Sequence, residues 1–155
     1  MDTLTGKYKG TLDDKSRISL PAFFRRVLNE PTLYLTQGMD KCLWLYPSDE
    51  WHSMRNVIMN NTDPFSSRFR DLRRRIIAPC HPVEIDKAGR IPVAQSLREF
   101  AGISKDCLFL GQVEYIEIWD EETFEAYQAS GGEENTAAAS EELSETLRRN
   151  RGVGK

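Results

Sequence analysis

Histidine and cysteine are scarce in this 155-residue chain, which has two histidines and three cysteines. The cysteines are odd in number and far apart in sequence, and none forms a Cys-x-x-Cys pair: they are Cys42, Cys80 and Cys107. We therefore expect reduced thiols rather than disulfides or a zinc site. His52 and His81 lack the spacing of metal ligands, and no nucleophile has a base nearby in sequence. We therefore expect no metal, no cofactor and no enzymatic activity.

Long apolar runs and glycine-rich phosphate loops are also missing from the sequence. No stretch approaches the roughly 20 apolar residues of a membrane span, and the first residues lack the apolar core of a signal peptide. The composition, 39% hydrophobic and 29% charged, is typical of a globular protein. We expect a cytoplasmic protein without a membrane or a small-molecule substrate as partner.

The net charge of −3 hides a strong segregation of charge along the chain. Residues 1–113 hold 17 Lys and Arg against 13 Asp and Glu, whereas residues 114–145 hold 11 acids and no base. Residues 66–75 alone contain five arginines and one aspartate. Regional charge is a better guide to partners than the average, so a polyanion remains possible despite the overall acidity.

The chain contains an internal duplication. Asp13-Asp14-Lys15-Ser16-Arg17-Ile18 returns as Asp86-Lys87-Ala88-Gly89-Arg90-Ile91, displaced by 73 positions (86 − 13 = 73). The same shift places four further residues on similar ones: Arg25 on Arg98, Leu35 on Leu108, Gly38 on Gly111, and Trp51 on Phe124. The sequence therefore predicts two copies of one small unit.

Each copy is predicted to be α+β, in the order strand, strand, helix, strand, strand, helix. We expect the copies to pack as a pseudo-dimer around one barrel-like core, with the helices on the outside. The first repeat covers residues 1–62, an arginine-rich linker helix residues 63–82, and the second repeat residues 83–128. Residues 129–155 are rich in Gly, Glu, Ala and Ser, which predicts an acidic mobile tail with at most a frayed helix.

The Asp-x-x-x-Arg turns have two interpretations. Asp13 and Asp86 can clamp the turns by pairing with Arg17 and Arg90, and the copies can clamp one another. Each arginine can also serve two partners, because a guanidinium that pairs with a carboxylate can still reach a phosphate or a guanine edge. Lys15 and Lys87 lie within the turns, where they can contact phosphate or simply be solvated.

Further basic residues surround these turns in sequence. Their density suits phosphate binding, which dominates affinity for DNA, although a solvated surface is the alternative. The DNA-contacting set predicted from both copies is Lys7, Lys9, Lys15, Arg17, Arg25, Arg26, Lys87, Arg90 and Arg98.

The linker helix also leaves two interpretations open. Its arginines could follow DNA, or they could pair with the acidic helix of a neighbouring subunit. We favour the second, because the chain carries a matching excess of acid. The predicted oligomer interface consists of Arg73, Arg74, Arg75, Glu121, Glu122 and Glu125.

The paired motifs resemble those of the bacterial MraZ proteins. The resemblance rests on Thr11-Leu12-Asp13-Asp14-Lys15-Ser16-Arg17-Ile18-Ser19-Leu20-Pro21 and on Ile85-Asp86-Lys87-Ala88-Gly89-Arg90-Ile91. It extends through Leu43-Trp44-Leu45-Tyr46-Pro47 and Ile116-Glu117-Ile118-Trp119-Asp120, and it covers roughly residues 4–128. The first turn with Arg25 and Arg26 also resembles the AbrB-type swapped-hairpin fold. Ser16 departs from the glycine usual in the first turn, which predicts a slightly altered turn because serine is poorer at positive φ.

The resemblance implies a nucleoid-associated transcriptional regulator of the division and cell-wall gene cluster, including its own gene. It also implies a ring-shaped homo-oligomer that binds G-rich direct repeats of double-stranded DNA. The rival hypothesis is a ring-forming interaction protein without direct DNA readout. Salt-dependent binding to a promoter fragment would separate the two.

Overall fold

The computed structural model describes residues 3–153. One compact unit ends at Glu121 and a second begins at Glu122. The first half contains β1 (Lys7–Thr11), β2 (Arg17–Ser19), α1 (Ala22–Leu28), β3 (Thr32–Gln37), β4 (Leu43–Pro47) and α2 (Ser48–Asn60), followed by α3 (Ser67–Ile76). The second half contains β5 (His81–Glu84), β6 (Arg90–Pro92), α4 (Gln95–Ala101), β7 (Asp106–Gly111), β8 (Ile116–Asp120) and α5 (Glu121–Tyr127). Residues Gln128–Gly132 then lead to α6 (Glu133–Val153) through a kink at Gly131, whose φ of 156° is not helical.

The α+β prediction is confirmed, and all strand pairs are antiparallel. Six strands form one sheet in the order β1-β7-β8-β4-β3-β5, and β2 and β6 pair separately. The outer strands of the larger sheet therefore pair with strands from the other half of the chain. Within residues 3–153, β1 and β5 remain edges that do not pair with each other, so the expected barrel does not close. The two strands that could have extended these edges, β2 and β6, pair with each other instead.

One hydrophobic core is shared by both halves. Strand residues such as Leu33, Leu45, Phe109 and Ile118 are completely buried in it. The same cluster includes Phe24 and Leu28 from α1, Leu97 and Ala101 from α4, and Ile18 and Ile91 from the two-stranded ribbon. The short helices end in the left-handed conformation, at Asn29 with φ 39° and at Gly102 with φ 70°, as the residue types favour.

A smaller cluster lies beside β3 and β4. Tyr46 of β4, Trp51 of α2 and Ile76 of α3 are buried together there. The Thr36 hydroxyl donates a hydrogen bond of 2.6 Å to the Ile76 carbonyl, which satisfies a polar group with no exposure to solvent. The predicted linker helix is therefore packed against the first repeat, and it begins at Ser67 rather than near Asp63.

The constant 73-residue shift fails at the third strand of each repeat. β3 begins at Thr32 and β7 at Asp106, which is a shift of 74 (106 − 32 = 74), whereas β4 and β8 return to 73. The composition of the shared core agrees with a shift of 74. Leu33 and Leu35 belong to this core, and so do Cys107 and Phe109, the residues 74 positions later, whereas Leu108 does not. Leu35 therefore corresponds to Phe109, and its alignment with Leu108 was wrong. One extra residue before β7 is compensated by a shorter β7–β8 turn.

Residues 133–153 form the 21-residue helix α6, where the composition favoured a mobile tail with a frayed helix. The physical reason lies in the residues beyond Gly132. Alanine, glutamate, leucine and arginine, which dominate this stretch, all have high helix propensity. Glu133 and Glu134 in the first turn and Arg151 in the last also complement the helix dipole.

Candidate functional site

The turn between β1 and β2 is organised by the carboxylate of Asp13. Its Oδ1 accepts hydrogen bonds from the backbone N–H groups of Lys15 and Arg17, each at 2.9 Å. Its Oδ2 accepts from the Arg17 Nε at 3.0 Å. Ser16 lies within this turn with φ 62°, so a serine does adopt the left-handed conformation here. The spacing of Asp and Arg thus builds a closed turn from one carboxylate.

The turn between β5 and β6 repeats this geometry. The Asp86 Oδ1 accepts from the backbone N–H groups of Ala88 and Arg90 at 2.9 Å, and its Oδ2 accepts from the Arg90 Nε at 3.0 Å. Gly89 has φ 80°, the position that corresponds to Ser16. We call residues 13–17 and 86–90 together the paired turns.

The paired turns are linked to each other across the β2–β6 ribbon. Arg17 Nη1 lies 3.9 Å from Asp86 Oδ2, and Arg90 Nη1 lies 3.8 Å from Asp13 Oδ2. Backbone hydrogen bonds also cross between the two turns. The Leu20 N–H donates to the Gly89 carbonyl at 2.9 Å. Val93 N–H donates to the Ser16 carbonyl at 3.0 Å in the same way. Two aspartates and two arginines therefore form one four-membered ionic network.

Hydrogen bonding lowers the pKa of both aspartates below the ordinary value of 3.8. For Asp13 the backbone N–H of Arg17 is the largest cause, and for Asp86 it is the backbone N–H of Arg90. The N–H donors around both carboxylates favour the charged form. Both carboxylates are therefore ionised at neutral pH. Permanent negative charge at these positions holds the two guanidinium groups in place.

The network leaves the arginines partly open to solvent. The side chains of Arg17 and Arg90 are 27% and 32% exposed, and the contacts described use only Nε and Nη1. A guanidinium carries five N–H donors, so Arg17 and Arg90 retain donors for a ligand after they have bound the aspartates. Lys15 and Lys87 are exposed beside them. The arrangement presents ordered donors and positive charge to a ligand rich in acceptors.

Arg25 lies against the turn of the other repeat, a relationship that the sequence does not reveal. A β-carbon built at Gly89 would lie 2.6 Å from the Arg25 Cδ and 2.8 Å from its Cζ. Arg98, its counterpart, donates from Nη1 to the Val93 carbonyl and borders a groove with Lys15 and Ser16. In sequence the two turns differ here only as glycine and serine, which does not indicate the contact with Arg25.

The remaining basic residues of the predicted set have other surroundings. Lys9 Nζ forms an ion pair of 3.3 Å with Glu121 Oε1. Lys7 lies on the same strand, opposite Leu110. The Arg26 guanidinium lies 5.4 Å from the centre of the Phe23 ring. Lys9 and Arg26 are therefore engaged by Glu121 and Phe23 rather than by the paired turns.

The arginines of α3 divide into two kinds. Arg73 donates to the Thr62 hydroxyl and carbonyl at 2.9 and 2.8 Å. Arg75 donates to the carbonyls of Gly38 and Met39 at 2.9 Å, and its guanidinium lies over the Phe100 ring. These two side chains hold the fold of their own chain together.

Arg74, in contrast, points to solvent. Its side chain is 67% exposed and pairs with Asp71 at 2.9 Å, a pair that surface exposure makes weak. Of the acidic residues predicted opposite these arginines, Glu121 pairs with Lys9, and Glu122 and Glu125 are exposed. Of the three arginines in the predicted interface, Arg74 is therefore the most available to another subunit.

Among residues 3–153, no group of three His, Cys, Asp or Glu side chains could hold a metal ion. No helix over the same range is long and apolar enough to cross a bilayer.

The fold and the paired turns define an α+β protein with an antiparallel sheet, in which two Asp-x-x-x-Arg turns meet in one ionic network. The family described as "MraZ protein, putative antitoxin-like" matches residues 3–72 and 76–147. The chain is also similar to proteins named "Transcriptional regulator MraZ". The protein from Treponema denticola is 44% identical over 124 residues, which cover 80% of this chain and 86% of that protein. The protein from Treponema pallidum strain Nichols is 40% identical over 83% of this chain and 86% of its own. The Caldanaerobacter subterraneus protein is 38% identical over 93% and 96% respectively. This chain belongs to the MraZ family.

Proposed function

We propose that this chain is a DNA-binding transcriptional regulator and that the paired turns contact the DNA. The observation that carries the proposal is the ionic network, which sets Arg17 and Arg90 side by side and keeps them partly exposed. The relatives' name, transcriptional regulator, supports the same class of function. Arginines held by aspartates lose little freedom on binding, so their donors are already arranged for readout.

The chemistry of the site favours guanine and phosphate. A guanidinium forms two hydrogen bonds with the O6 and N7 of guanine in the major groove, the commonest specific contact in protein–DNA complexes. The exposed ammonium groups of Lys15 and Lys87 suit phosphates on either side. Together these groups favour G-rich duplex DNA, and Arg25 and Arg98 extend the basic surface.

The strand exchange supports a swapped-hairpin pseudo-dimer of the AbrB type. β1 of the first repeat pairs with β7 of the second, and β5 of the second pairs with β3 of the first. We propose that residues 1–62 and 83–128 are the two repeats, joined by the arginine-rich segment 63–82. In this arrangement the DNA-contacting turns lie on the ribbon where the repeats meet.

The proposed targets are G-rich direct repeats in the promoter of this chain's own gene, within the division and cell-wall cluster. The proposed assembly is a ring-shaped homo-oligomer, located in the cytoplasm at the nucleoid. One chain offers only two turns and carries net negative charge, so a single copy should bind weakly. Several linked copies on repeated sites gain affinity through effective concentration. The exposed Arg74 and the 90% exposed Phe65 beside α3 suit a contact between subunits.

The test is binding to a labelled duplex taken from the DNA directly upstream of this chain's gene. Titrations at increasing salt, with a shuffled duplex as the control, should show tighter binding to the native sequence. The logarithm of the affinity should fall with the logarithm of salt, because each neutralised phosphate releases a counterion. Equal, weak binding to both duplexes would instead support the rival function, an assembly protein that uses Arg74 and Phe65 without reading DNA.

A further inference from the structure

The paired turns differ at one position that the ionic network does not explain. Ser16 and Gly89 occupy equivalent places and both have positive φ, 62° and 80°. Because serine adopts this conformation in the first turn, the conformation alone does not demand glycine in the second. The two positions also differ in what lies against them, since a β-carbon at Gly89 would meet the side chain of Arg25.

The space at Gly89 is filled by Arg25 of the other repeat. Real β-carbons essentially never come closer than 3.0 Å to another heavy atom, yet a β-carbon here would meet the Cδ and Cζ of Arg25 at 2.6 and 2.8 Å. The Leu20 N–H bond to the Gly89 carbonyl sets the start of α1 beside this turn. Arg25 then lies one helical turn beyond Pro21, to which its backbone N–H is bonded.

The equivalent arginine of the second repeat is held differently. Arg98 donates from Nη1 to the Val93 carbonyl of its own repeat. It is half-buried and lines a groove with Ser16. Arg25 is exposed and lies on the bare backbone of the Asp86–Arg90 turn. Two arginines at matching sequence positions thus have unlike partners and unlike exposure.

We infer that the DNA-contacting surface consists of two unequal halves, of which the stronger is the Asp86–Arg90 turn completed by Arg25 from the other repeat. Arg25 acts there as a DNA-contacting residue that Gly89 admits, while Ser16 and the carbonyl-bound Arg98 form the weaker half. This inference rests on the proposed function. Two equal halves related by a twofold axis would suit an inverted repeat, whereas unequal halves give the chain one preferred orientation, as direct repeats require.

The test compares matched variants for binding to the duplex from upstream of the gene. Arg25→Ala should weaken binding by about five- to 140-fold, the range of one good arginine–guanine contact, and Arg98→Ala by clearly less. Gly89→Ser should weaken binding as Arg25→Ala does. Gly152→Ser is the matched control, because a β-carbon at Gly152 would meet nothing within 4 Å, and it should leave affinity within about twofold. Circular dichroism and thermal unfolding show whether each variant is folded.

The decisive experiment is the double variant. If Gly89→Ser acts by displacing Arg25, adding it to Arg25→Ala should cause no further loss of affinity. Multiplied losses, or an Arg98→Ala variant that loses as much as Arg25→Ala, would overturn the inference while leaving DNA binding itself intact. Failure of the wild-type chain to prefer the native duplex would overturn the proposed function instead.

A measurement without DNA covers the case in which Gly89→Ser is unstable. The Arg25 Nε–H resonance should shift in Gly89→Ala and remain unchanged in Ser16→Gly.

A second comparison uses DNA binding. Arg25→Lys retains the charge but loses the planar fork, and it should weaken DNA binding more than Arg98→Lys does. An unshifted resonance together with equal losses from the two lysine variants would contradict the assignment.

Discussion

Ile18 and Ile91 face each other across the β2–β6 ladder, and neither side chain is exposed to solvent. The two belong to a core cluster that draws on both repeats. Ile18→Ala should therefore lower the free energy of unfolding by about 2–5 kcal/mol, because it removes buried apolar atoms and leaves a cavity. Urea titration followed by circular dichroism measures the change.

Calorimetry of the same variant tests whether the core is shared. A shared core predicts that residues of both repeats unfold in one transition, at a lower temperature in Ile18→Ala than in the wild type. Val57→Ala is the control, since Val57 is 56% exposed and should change stability by less than about 0.5 kcal/mol. Two separated transitions for the repeats would show that each folds on its own.

The duplication allowed the α+β class and the element order to be predicted because short-range signals recur in it. Proline and glycine positions, alternating apolar residues and the Asp-to-Arg spacing depend on local chemistry. The one-residue change at β3 and β7 was missed, since similar leucines and glycines stand on both sides of it. The open sheet was missed as well, because edge pairing depends on strand positions in space.

The site was partly predictable for the same reason. Asp13 and Arg17 lie four residues apart, so their pairing could be inferred, and their cross-repeat pairing followed from the symmetry. The position of Arg25 on Gly89 depends on the packing of α1 against the other repeat. The engagement of Arg73 and Arg75 by carbonyls likewise requires knowledge of where α3 packs. Sequence alone gives their charge but not their partners.

Arginine substitutions in the paired turns test the proposed DNA contact. Arg17→Lys and Arg90→Lys keep the charge but lose the planar fork, so specific binding should weaken by about 1–3 kcal/mol each, with little change in binding to a shuffled duplex. Fluorescence anisotropy measures both affinities. The control is Arg55→Lys, an exposed residue of α2 that should have no effect. Unchanged specific binding in the Arg17→Lys, Arg90→Lys double variant would exclude base readout by these residues.

Acid should weaken the clamp. The pKa values of Asp13 and Asp86 are lower in the folded chain than the ordinary 3.8, so the folded state binds fewer protons than the unfolded state near that pH. Their stabilising effect is then complete above pH ~4 and is lost as pH falls through the lowered values. Urea unfolding at a series of pH values should show a smaller acid loss in Asp13→Asn than in the wild type. An identical pH dependence would contradict the clamp.

The thiols should be unreactive in the folded chain. Burial raises the pKa of Cys80 to about 11 and that of Cys107 to about 12, and it raises the pKa of Cys42 as well. Thiolates are the reactive species, so a thiol reagent at about pH 8 should modify the native chain slowly. Half-buried Cys80 should react first, and all three should react rapidly in guanidinium. Fast native modification of Cys42 or Cys107 would show that the core opens readily.

Assembly can be separated from folding by changing arginines of α3 one at a time. Arg74→Glu alters an exposed side chain and should reduce the mass measured by light scattering if the proposed subunit contact uses it. Binding to repeated DNA sites should weaken more than binding to a single site, because linked contacts are lost. Arg75→Glu should instead lower stability, since Arg75 holds the carbonyls of Gly38 and Met39. An Arg74→Glu variant that keeps its full mass but loses DNA would place this residue against the nucleic acid rather than another subunit.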